Sequence, residues 1–284
     1  MDSEIKMTME QARKQMEIFR KMSFADSTGD AIPFYHEGKY HIFSLTSPPG
    51  TTVYPERLRT TWSHSISDDL VHWQELPTAL YPGEGDEPDA SGVWTGSVIY
   101  GEGQYHAFYT GYCLTAEFQQ TICHATSDDG ITWTKDIANP VITPMTELYE
   151  KLDWRDPYVF YNEEDENYWI LISARRLDMP VTRRGCIVLY RSKNLKDWTY
   201  YGPIYSPGHT NCPECPEMYK MGGHWYLSYS RFSEFVNTIY RVSESPFGPW
   251  RKPKKDGIGG RRFYAAKSMQ NDDGRRFYFG WAHD

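Results

Sequence analysis

The stretch Phe34-Tyr-His-Glu-Gly-Lys-Tyr-His-Ile-Phe43 contains the pattern that decides the fold of this chain of 284 residues. Two short aromatic runs are joined by a Glu-Gly pair, which is typical of two antiparallel strands connected by a tight turn. The same arrangement returns at residues 98–108, 159–172, 218–229 and 268–281. The sequence therefore predicts five β-hairpins.

A second repeat, a serine followed by a polar turn and a tryptophan, lies between successive hairpins. It occurs at residues 67–73, 127–133, 192–198 and 243–250, and we interpret its tryptophans as core residues because they recur once per unit. A hairpin with one such segment holds about four short strands, the size of one propeller blade. We therefore expect an all-β fold, a five-bladed β-propeller. The fifth unit lacks the serine-to-tryptophan segment, so either its blade is incomplete or its closure is unusual.

Residues 4–23 form the only segment with the apolar spacing of an amphipathic helix. Its apolar positions are Ile5, Met9, Ala12, Met16 and Phe19. The sequence thus predicts a short N-terminal helical arm over residues 1–25 and a catalytic propeller over residues 26–284. The arm either packs on the propeller, which is the simpler interpretation, or forms a homodimer through the helix.

The charge pattern excludes several classes of partner. The net charge is −8, and no basic run of the kind that neutralises phosphates is present, so we expect no nucleic-acid partner. No apolar run reaches the roughly 18 residues of a membrane helix, so we expect no membrane partner. The first residues lack the charged-then-apolar pattern of a signal peptide. This favours a cytoplasmic location, although a processed secretory precursor would look the same.

The five cysteines favour reduced thiols, because an odd and scattered set does not make a disulfide framework. Cys212 and Cys215 have the spacing of a metal or redox pair. A zinc ribbon needs a second pair, and a redox pair opens a helix, whereas this pair lies among prolines in a strand-rich context. We therefore expect neither a metal ion nor a cofactor.

Three acidic residues stand at the entrances of predicted strands. Asp156 lies in Trp154-Arg155-Asp156-Pro157, where the proline, which lacks an N–H, marks the start or edge of a strand. Glu214 lies between two prolines, and Asp30 follows Gly29 just before a strand-like run. Aromatic residues make up 16% of the chain, which suits both strands and sugar-binding walls. Carboxylates in this aromatic context favour a site that cleaves sugars.

Several motifs in the same order resemble glycoside hydrolase family 32, the group of invertases, levanases and inulinases. Trp154-Arg155-Asp156-Pro157 resembles its Arg-Asp-Pro motif, and Glu214-Cys215-Pro216 resembles its Glu-Cys motif. Trp94-Thr95-Gly96-Ser97 resembles its aromatic-Ser-Gly-Ser motif, and residues 64–73 resemble a segment of its first blade. The likeness runs from about Gly29 to Asp284.

The resemblance implies a retaining β-fructosidase that acts on sucrose or other oligosaccharides. Asp30 would be the nucleophile, Glu214 the general acid and base, and Asp156 the acceptor of fructose hydroxyl groups. Arg155 would keep Asp156 ionised. The substrate-binding residues implied beside Arg155 are Trp62, Trp94, Ser97 and Trp154.

The sequence departs from the family at the nucleophile. The family reads Trp-Met-Asn-Asp-Pro-Asn-Gly, whereas this chain reads Ser27-Thr28-Gly29-Asp30-Ala31-Ile32-Pro33. Asp30 has the better spacing to the first hairpin, and Asp26 is the other candidate. Two alternative functions therefore stay open: an inverting pentosidase of the family 43 type, and a sugar-binding propeller without catalysis.

Overall fold

The computed structural model of the chain describes residues 22, 23, 25, 27–51, 53–232, 235–260 and 263–282. Their regular structure consists of β-strands and two single turns of 3-10 helix, Glu56–Leu58 and Val181–Arg183. None of the helical segments in these residues is long and apolar enough to cross a membrane.

The strands form antiparallel sheets in which spatial order follows chain order. The first sheet contains β1 to β4, which are Thr28–His36, Lys39–Thr46, Thr61–Ser67 and Trp73–Leu80. The second contains β5 to β8, which are Gly92–Gly101, Gln104–Tyr112, Gln120–Ser127 and Thr134–Lys135. The third contains β9 to β12, which are Tyr149–Asn162, Asn167–Arg176, Gly185–Ser192 and Thr199–Tyr205. The fourth contains β13 to β16, which are Glu214–Met221, His224–Arg231, Asn237–Ser243 and Gly257–Ile258. A last sheet pairs β17 with β18, which are Phe263–Gln270 and Arg276–Ala282.

The first strands of the sheets meet in a closed ring. Strand β1 contacts β5, β5 contacts β9, β9 contacts β13, β13 contacts β17, and β17 contacts β1. Sheets arranged radially around one axis are the blades of a β-propeller. The predicted all-β propeller is therefore confirmed.

The predicted number of five blades needs correction. Each of the five predicted hairpins is present, but only four sheets in the described part of the chain have four strands, and the last has two. A hairpin is local and is encoded by its own residues, whereas a blade also needs two outer strands. The predicted helix within residues 4–23 lies outside the described residues, apart from residues 22 and 23, which are not helical.

The serine-to-tryptophan repeat forms the turn between the third and fourth strands of a blade. The hydroxyl of Ser67 accepts a hydrogen bond from the N–H of Leu70 (2.9 Å), and the Asp69 carboxylate accepts bonds from the next two N–H groups. Asp129, two residues after Ser127, makes the same two carboxylate contacts in the second blade. A serine or aspartate side chain thus closes the turn by satisfying N–H groups that no strand pairs.

The tryptophans that end these turns join neighbouring blades. Trp133 of the second blade packs edge-on against Phe43 of the first, with ring centroids 5.8 Å apart. Trp198 of the third blade packs in the same way against Phe108 of the second, at 5.3 Å. Trp250 packs against the core between the third and fourth blades. The interpretation of these three residues as packing residues is confirmed.

The first strand of every sheet carries a β-bulge at the same level of the ring. In each strand one extra residue is inserted relative to the second strand. The bulges lie between Thr28 and Ala31, Val93 and Gly96, Arg155 and Tyr158, Glu214 and Glu217, and Tyr264 and Lys267. Bulges bend a strand and re-aim its side chains, and they recur beside active sites. This level of the ring is therefore the place to look for a site.

Three of the bulges contain a residue other than glycine with a positive φ: Asp156 (59°), Cys215 (49°) and Ala265 (51°). This left-handed conformation costs an L-residue roughly 1–2 kcal/mol. Each of the three N–H groups donates to a side chain of the preceding blade: to Thr110 (2.8 Å), to the Asp156 carboxylate (2.8 Å) and to Ser230 (3.0 Å), respectively. These bonds between blades offset the strain, and the bond from Cys215 to Asp156 joins two bulges directly.

Two buried histidine pairs lie in equivalent positions of the first two blades. His41 Nδ1 lies 3.0 Å from His64 Nε2, and His106 Nδ1 lies 2.9 Å from His124 Nε2. Burial lowers the pKa of His41 and of His106 to about 4 and that of His64 to about 3. Within the described residues the Nδ1 atom of His64 has no hydrogen-bond partner, so a proton there would be buried without an acceptor. The pairs are therefore stable in the neutral form.

We expect the free energy of unfolding to fall as the pH falls from 6.5, the ordinary histidine pKa, towards about 4. In this range the histidines of the unfolded chain bind protons, whereas the buried histidines of the folded chain remain neutral. Acid therefore favours unfolding, and the full contribution to stability is present only above pH 6.5. Urea unfolding between about pH 8 and pH 5 measures the effect. The variant His41→Gln keeps a neutral polar group that does not titrate. Its stability should depend less on pH, and an unchanged pH dependence would contradict the assignment.

Candidate active site

The bulges of β1, β9 and β13 bring together the three predicted carboxylates. Asp30 lies in the first bulge, Asp156 in the third and Glu214 at the start of the fourth. Cys215 connects two of them, because its N–H donates to Asp156 Oδ2 at 2.8 Å and its thiol contacts Asp30 Oδ2 at 3.4 Å. The structure thus brings the three side chains close together, even though Asp30 and Cys215 are 185 residues apart in the chain.

Asp30 is held by two donors from distant strands. Trp281 Nε1 donates to its Oδ1 at 2.8 Å, and the Cys215 thiol reaches its Oδ2. Burial raises the pKa of Asp30 above its ordinary value, the nearby Lys267 ammonium lowers it, and the negative charge of Asp156 raises it. The two donors fix both carboxylate oxygens, so the group is held in one orientation.

Glu214 has the acid strength expected of a proton donor near neutral pH. Burial is the largest cause and raises the pKa of Glu214 to about 7, while the Arg155 guanidinium opposes the rise. The charges of Asp156 and Asp30 add to the rise. Arg155 NH2 donates to Glu214 Oε1 at 2.8 Å, and the Tyr264 hydroxyl bonds to the other oxygen, Oε2. The sequence-based expectation of a raised pKa agrees in direction and in its main cause.

Arg155 has different main partners from those expected. Its guanidinium donates to Asp153 (2.5 Å) and to Glu214 (2.8 Å), whereas its Nε lies 3.8 Å from Asp156. It also contacts Gln120 at 3.1 Å. The expected pairing with Asp156 is therefore the longest of these contacts. Arg155 instead orients the carboxyl group of Glu214.

Asp156 is the most enclosed of the three carboxylates, with 4% of its surface exposed. Its backbone N–H donates to the Thr110 hydroxyl of the second blade, and one carboxylate oxygen accepts the Cys215 N–H of the fourth. The residue is thereby tied to both neighbouring blades, by its backbone to the second and by its side chain to the fourth. Among the hydrogen bonds of the described residues, the donor to this carboxylate is the Cys215 N–H, which binds Oδ2.

Three of the predicted substrate-binding residues lie elsewhere. Trp62 and Trp154 are completely buried in the cores of the blades, where a dissolved sugar cannot touch them. Ser97 is 4% exposed, accepts the Val159 N–H and donates to the Pro157 carbonyl. It braces the second blade against the third. The sequence could not distinguish these roles, because tryptophan suits a core and a sugar wall equally well.

Trp94 is the predicted wall residue that stays accessible. It is partly exposed, stacks on Tyr112 with centroids 4.2 Å apart, and donates from Nε1 to the Leu58 carbonyl at 3.1 Å. It lies in the bulge of β5, at the same level as the carboxylates. Its position agrees with a wall of the site, which stays a prediction.

Sequence reasoning missed Tyr264, Lys267 and Trp281, which contact or face the carboxylates. The predicted fifth hairpin began at residue 268, so the bulge just before it was overlooked. Tyr264 and Lys267 flank the bulge of β17 just as Glu214 and Glu217 flank that of β13. Tyr264 and Lys267 could have been found by aligning the sequences of the five first strands with one another. No group of three or more His, Cys, Asp or Glu side chains suited to a metal ion occurs within the described residues.

Comparisons with known proteins agree with this geometry. The model of the glycosyl hydrolases family 32 N-terminal domain matches residues 30–284. Raffinose invertase of Escherichia coli is 30% identical over 272 residues, which cover 87% of this chain and 52% of the invertase. Levanase of Bacillus subtilis is 31% identical over 277 residues, which cover 87% of this chain and 38% of the levanase.

A solved structure supports the fold. Fructan 1-exohydrolase IIa of Cichorium intybus superimposes with a TM-score of 0.75 at 24% identity, covering 93% of this chain and 52% of the exohydrolase. The chain spans about half the length of the curated relatives it matches. Because the family model covers most of the chain and starts at the residue predicted as nucleophile, this protein belongs to glycoside hydrolase family 32.

Proposed function

We propose that the protein is a retaining β-fructosidase that removes terminal β-fructofuranosyl residues from sucrose or fructans. The observation that carries the proposal is the meeting of Asp30, Asp156 and Glu214 at one level of the propeller ring, with each carboxylate held by donors from other blades. A raffinose invertase and a levanase among the relatives support fructose-containing substrates.

In the first step Asp30 attacks the anomeric carbon of the fructosyl unit and forms an ester. The bond from that carbon to the leaving oxygen breaks, and Glu214 gives its proton to this oxygen. A pKa of about 7 for Glu214 suits the step, because about half of the groups carry a proton at neutral pH and the group is still acidic enough to donate it. Burial of the site keeps bulk water from competing with the leaving group.

In the second step water attacks the anomeric carbon, and the bond to Asp30 breaks. Glu214, now a carboxylate, takes the proton from this water. The two steps together retain the configuration at the anomeric carbon and return both carboxyl groups to their starting state. Asp156 accepts bonds from fructose hydroxyl groups that strengthen as positive charge develops on the ring. Arg155 orients Glu214 for both proton transfers.

Beyond the four complete blades, we propose that β17 and β18 occupy the position of a fifth blade. The contact of β17 with both β13 and β1 supports this, because it gives the hairpin the same neighbours that a blade would have. The division at residue 25, the helical arm, the homodimer through it and the cytoplasmic location remain predictions.

An assay of sucrose, sucrose 6-phosphate, raffinose, inulin, levan and aryl pentosides in parallel tests the function. We expect free fructose from at least one fructoside and no release from the pentosides. NMR during the first turnovers should show fructose released as the β-furanose, since a retaining enzyme keeps the configuration. Release of the α-anomer, or activity on pentosides alone, would favour the inverting pentosidase. Binding of fructosides without turnover would favour a sugar-binding propeller.

A further inference from the structure

Lys267 is a buried cation in the centre of the propeller that the proposed reaction does not use. It follows the bulge of β17, and 1% of its surface is exposed. Its ammonium donates to the Thr95 hydroxyl and to the Gly96 carbonyl, both at 2.8 Å. Both acceptors belong to β5, whereas the ring neighbours of β17 are β1 and β13. The side chain therefore reaches past β1, the strand that carries Asp30.

The two acceptors are neutral, so they do not balance the charge of the ammonium. No ion pair within 4 Å joins Lys267 to a carboxylate in the described part of the chain. Burying a cation without a countercharge is costly, and proteins do so where a charge is needed nearby. The ammonium lowers the pKa of the Asp30 carboxyl group, which belongs to β1, the strand that the lysine side chain passes.

The strand that accepts the hydrogen bonds of Lys267 is also linked by hydrogen bonds to the carboxylate residue Asp156. The Thr95 carbonyl accepts the Thr110 hydroxyl at 3.1 Å, and the Thr110 oxygen in turn accepts the N–H of Asp156. A continuous path of hydrogen bonds thus runs from the fifth hairpin through the second blade to the third. Lys267 is the end of this path in β17, the first strand of the two-stranded sheet.

The groups whose charges or hydrogen bonds act on Asp30 come from four other strands of the ring. They are Lys267 from β17, Asp156 from β9, Cys215 and Glu214 from β13, and the indole of Trp281 from β18. Lys267 is the only cation in this set. Without it, the charge of Asp30 would face two other carboxyl groups and two neutral donors.

We propose that Lys267 is a positioning residue of the site, whose positive charge keeps Asp30 ionised for attack and whose hydrogen bonds fix the bulge of β5 beside it. The inference rests on the proposed function, because it concerns the state of the nucleophile. It assigns two separable roles, one to the charge and one to the hydrogen bonds. Matched variants can therefore test them independently.

The first variant, Lys267→Met, removes the charge and keeps the length of the side chain. We expect its kcat/KM to fall by at least about tenfold near neutral pH, and the acidic limb of its pH profile to move to higher pH, because Asp30 then ionises less readily. Lys267→Arg restores the charge and should return the acidic limb towards that of the wild type.

Thr95→Val tests the hydrogen bonds, because it keeps the charge of Lys267 but removes one acceptor. It should lower stability without moving the acidic limb.

A second measurement covers variants that fold poorly and separates the two proposals. NMR of a 13C-labelled aspartate carboxyl, assigned by its loss in Asp30→Asn, follows the ionisation of Asp30 without any substrate. We expect the titration midpoint to move to higher pH in Lys267→Met and in Lys267→Gln. An unmoved midpoint overturns the inference even in an active enzyme. A moved midpoint in a protein that cleaves no fructoside would instead overturn only the proposed function.

Discussion

Replacement of Asp30 by asparagine is expected to abolish turnover, with a fall in kcat on the order of 10⁴-fold or more, while sugar binding stays measurable. The amide is too weak a nucleophile to form the ester. Asparagine has nearly the same shape, so its carbonyl oxygen can accept the Trp281 N–H and its NH2 group can face the Cys215 sulfur. Steady-state kinetics with sucrose, together with calorimetric titration of fructose, measure the two properties.

Asp26→Asn is the matched control, because Asp26 is the other acidic residue in the segment that departs from the family pattern. We expect this variant to retain most of the wild-type turnover. The reverse result, full activity in Asp30→Asn and loss in Asp26→Asn, would transfer the nucleophile to Asp26. Loss of fructose binding in Asp30→Asn together with a lower unfolding temperature would show damage to the fold, and the kinetic result would then not be interpretable as chemistry.

Replacement of Glu214 by glutamine should affect substrates according to their leaving groups. The amide cannot donate a proton, so we expect a loss on the order of 10³-fold for sucrose, whose leaving oxygen needs protonation. An aryl β-fructoside with an acidic phenol leaves without help, so its first step should be much less affected. Azide, which attacks without giving up a proton, should restore turnover of the aryl substrate. An equal loss for both substrates would contradict the role of Glu214 as acid.

The same substitution should change the pH profile. Because the wild-type enzyme needs Glu214 protonated, its kcat/KM for sucrose should fall as the pH rises through about 7. In Glu214→Gln this alkaline limb should disappear, whereas the acidic limb set by Asp30 should remain. A wild-type limb that persists in the variant would belong to another group.

Much of the fold could be predicted because its signals are local. A hairpin such as that around Gly38 is specified by the aromatic runs on either side of a turn, and all five hairpins were recognisable in this way. The turns at Ser67 and Ser127 depend on side chains only two or three residues away from the N–H groups they bind. The complete blade is less local: the absent serine-to-tryptophan segment left the closure of the fifth unit open, and the structure gives this unit only two strands in the described residues.

The candidate site was predictable in part. Asp156 and Glu214 could be selected because each belongs to a recognisable motif at the entrance of a predicted strand, whereas Asp30 was selected by its spacing to the first hairpin. The assignment of Trp62 and Trp154 to the sugar wall was wrong, because side-chain direction in these strands depends on the bulges and on packing between blades.

The sequence by itself determined the all-β character, the order of the hairpins and the acidic residues of the site. Only the tertiary structure decided which groups meet them. Trp281 binds Asp30 across 251 residues, and Lys267 binds Thr95 across 172. Such contacts form only when the ring closes between β17 and β1, and they leave no periodic pattern in the chain. The physical reason is that turns and strands are set by neighbouring residues, whereas the charge and orientation of a buried carboxylate are set by every strand that surrounds it.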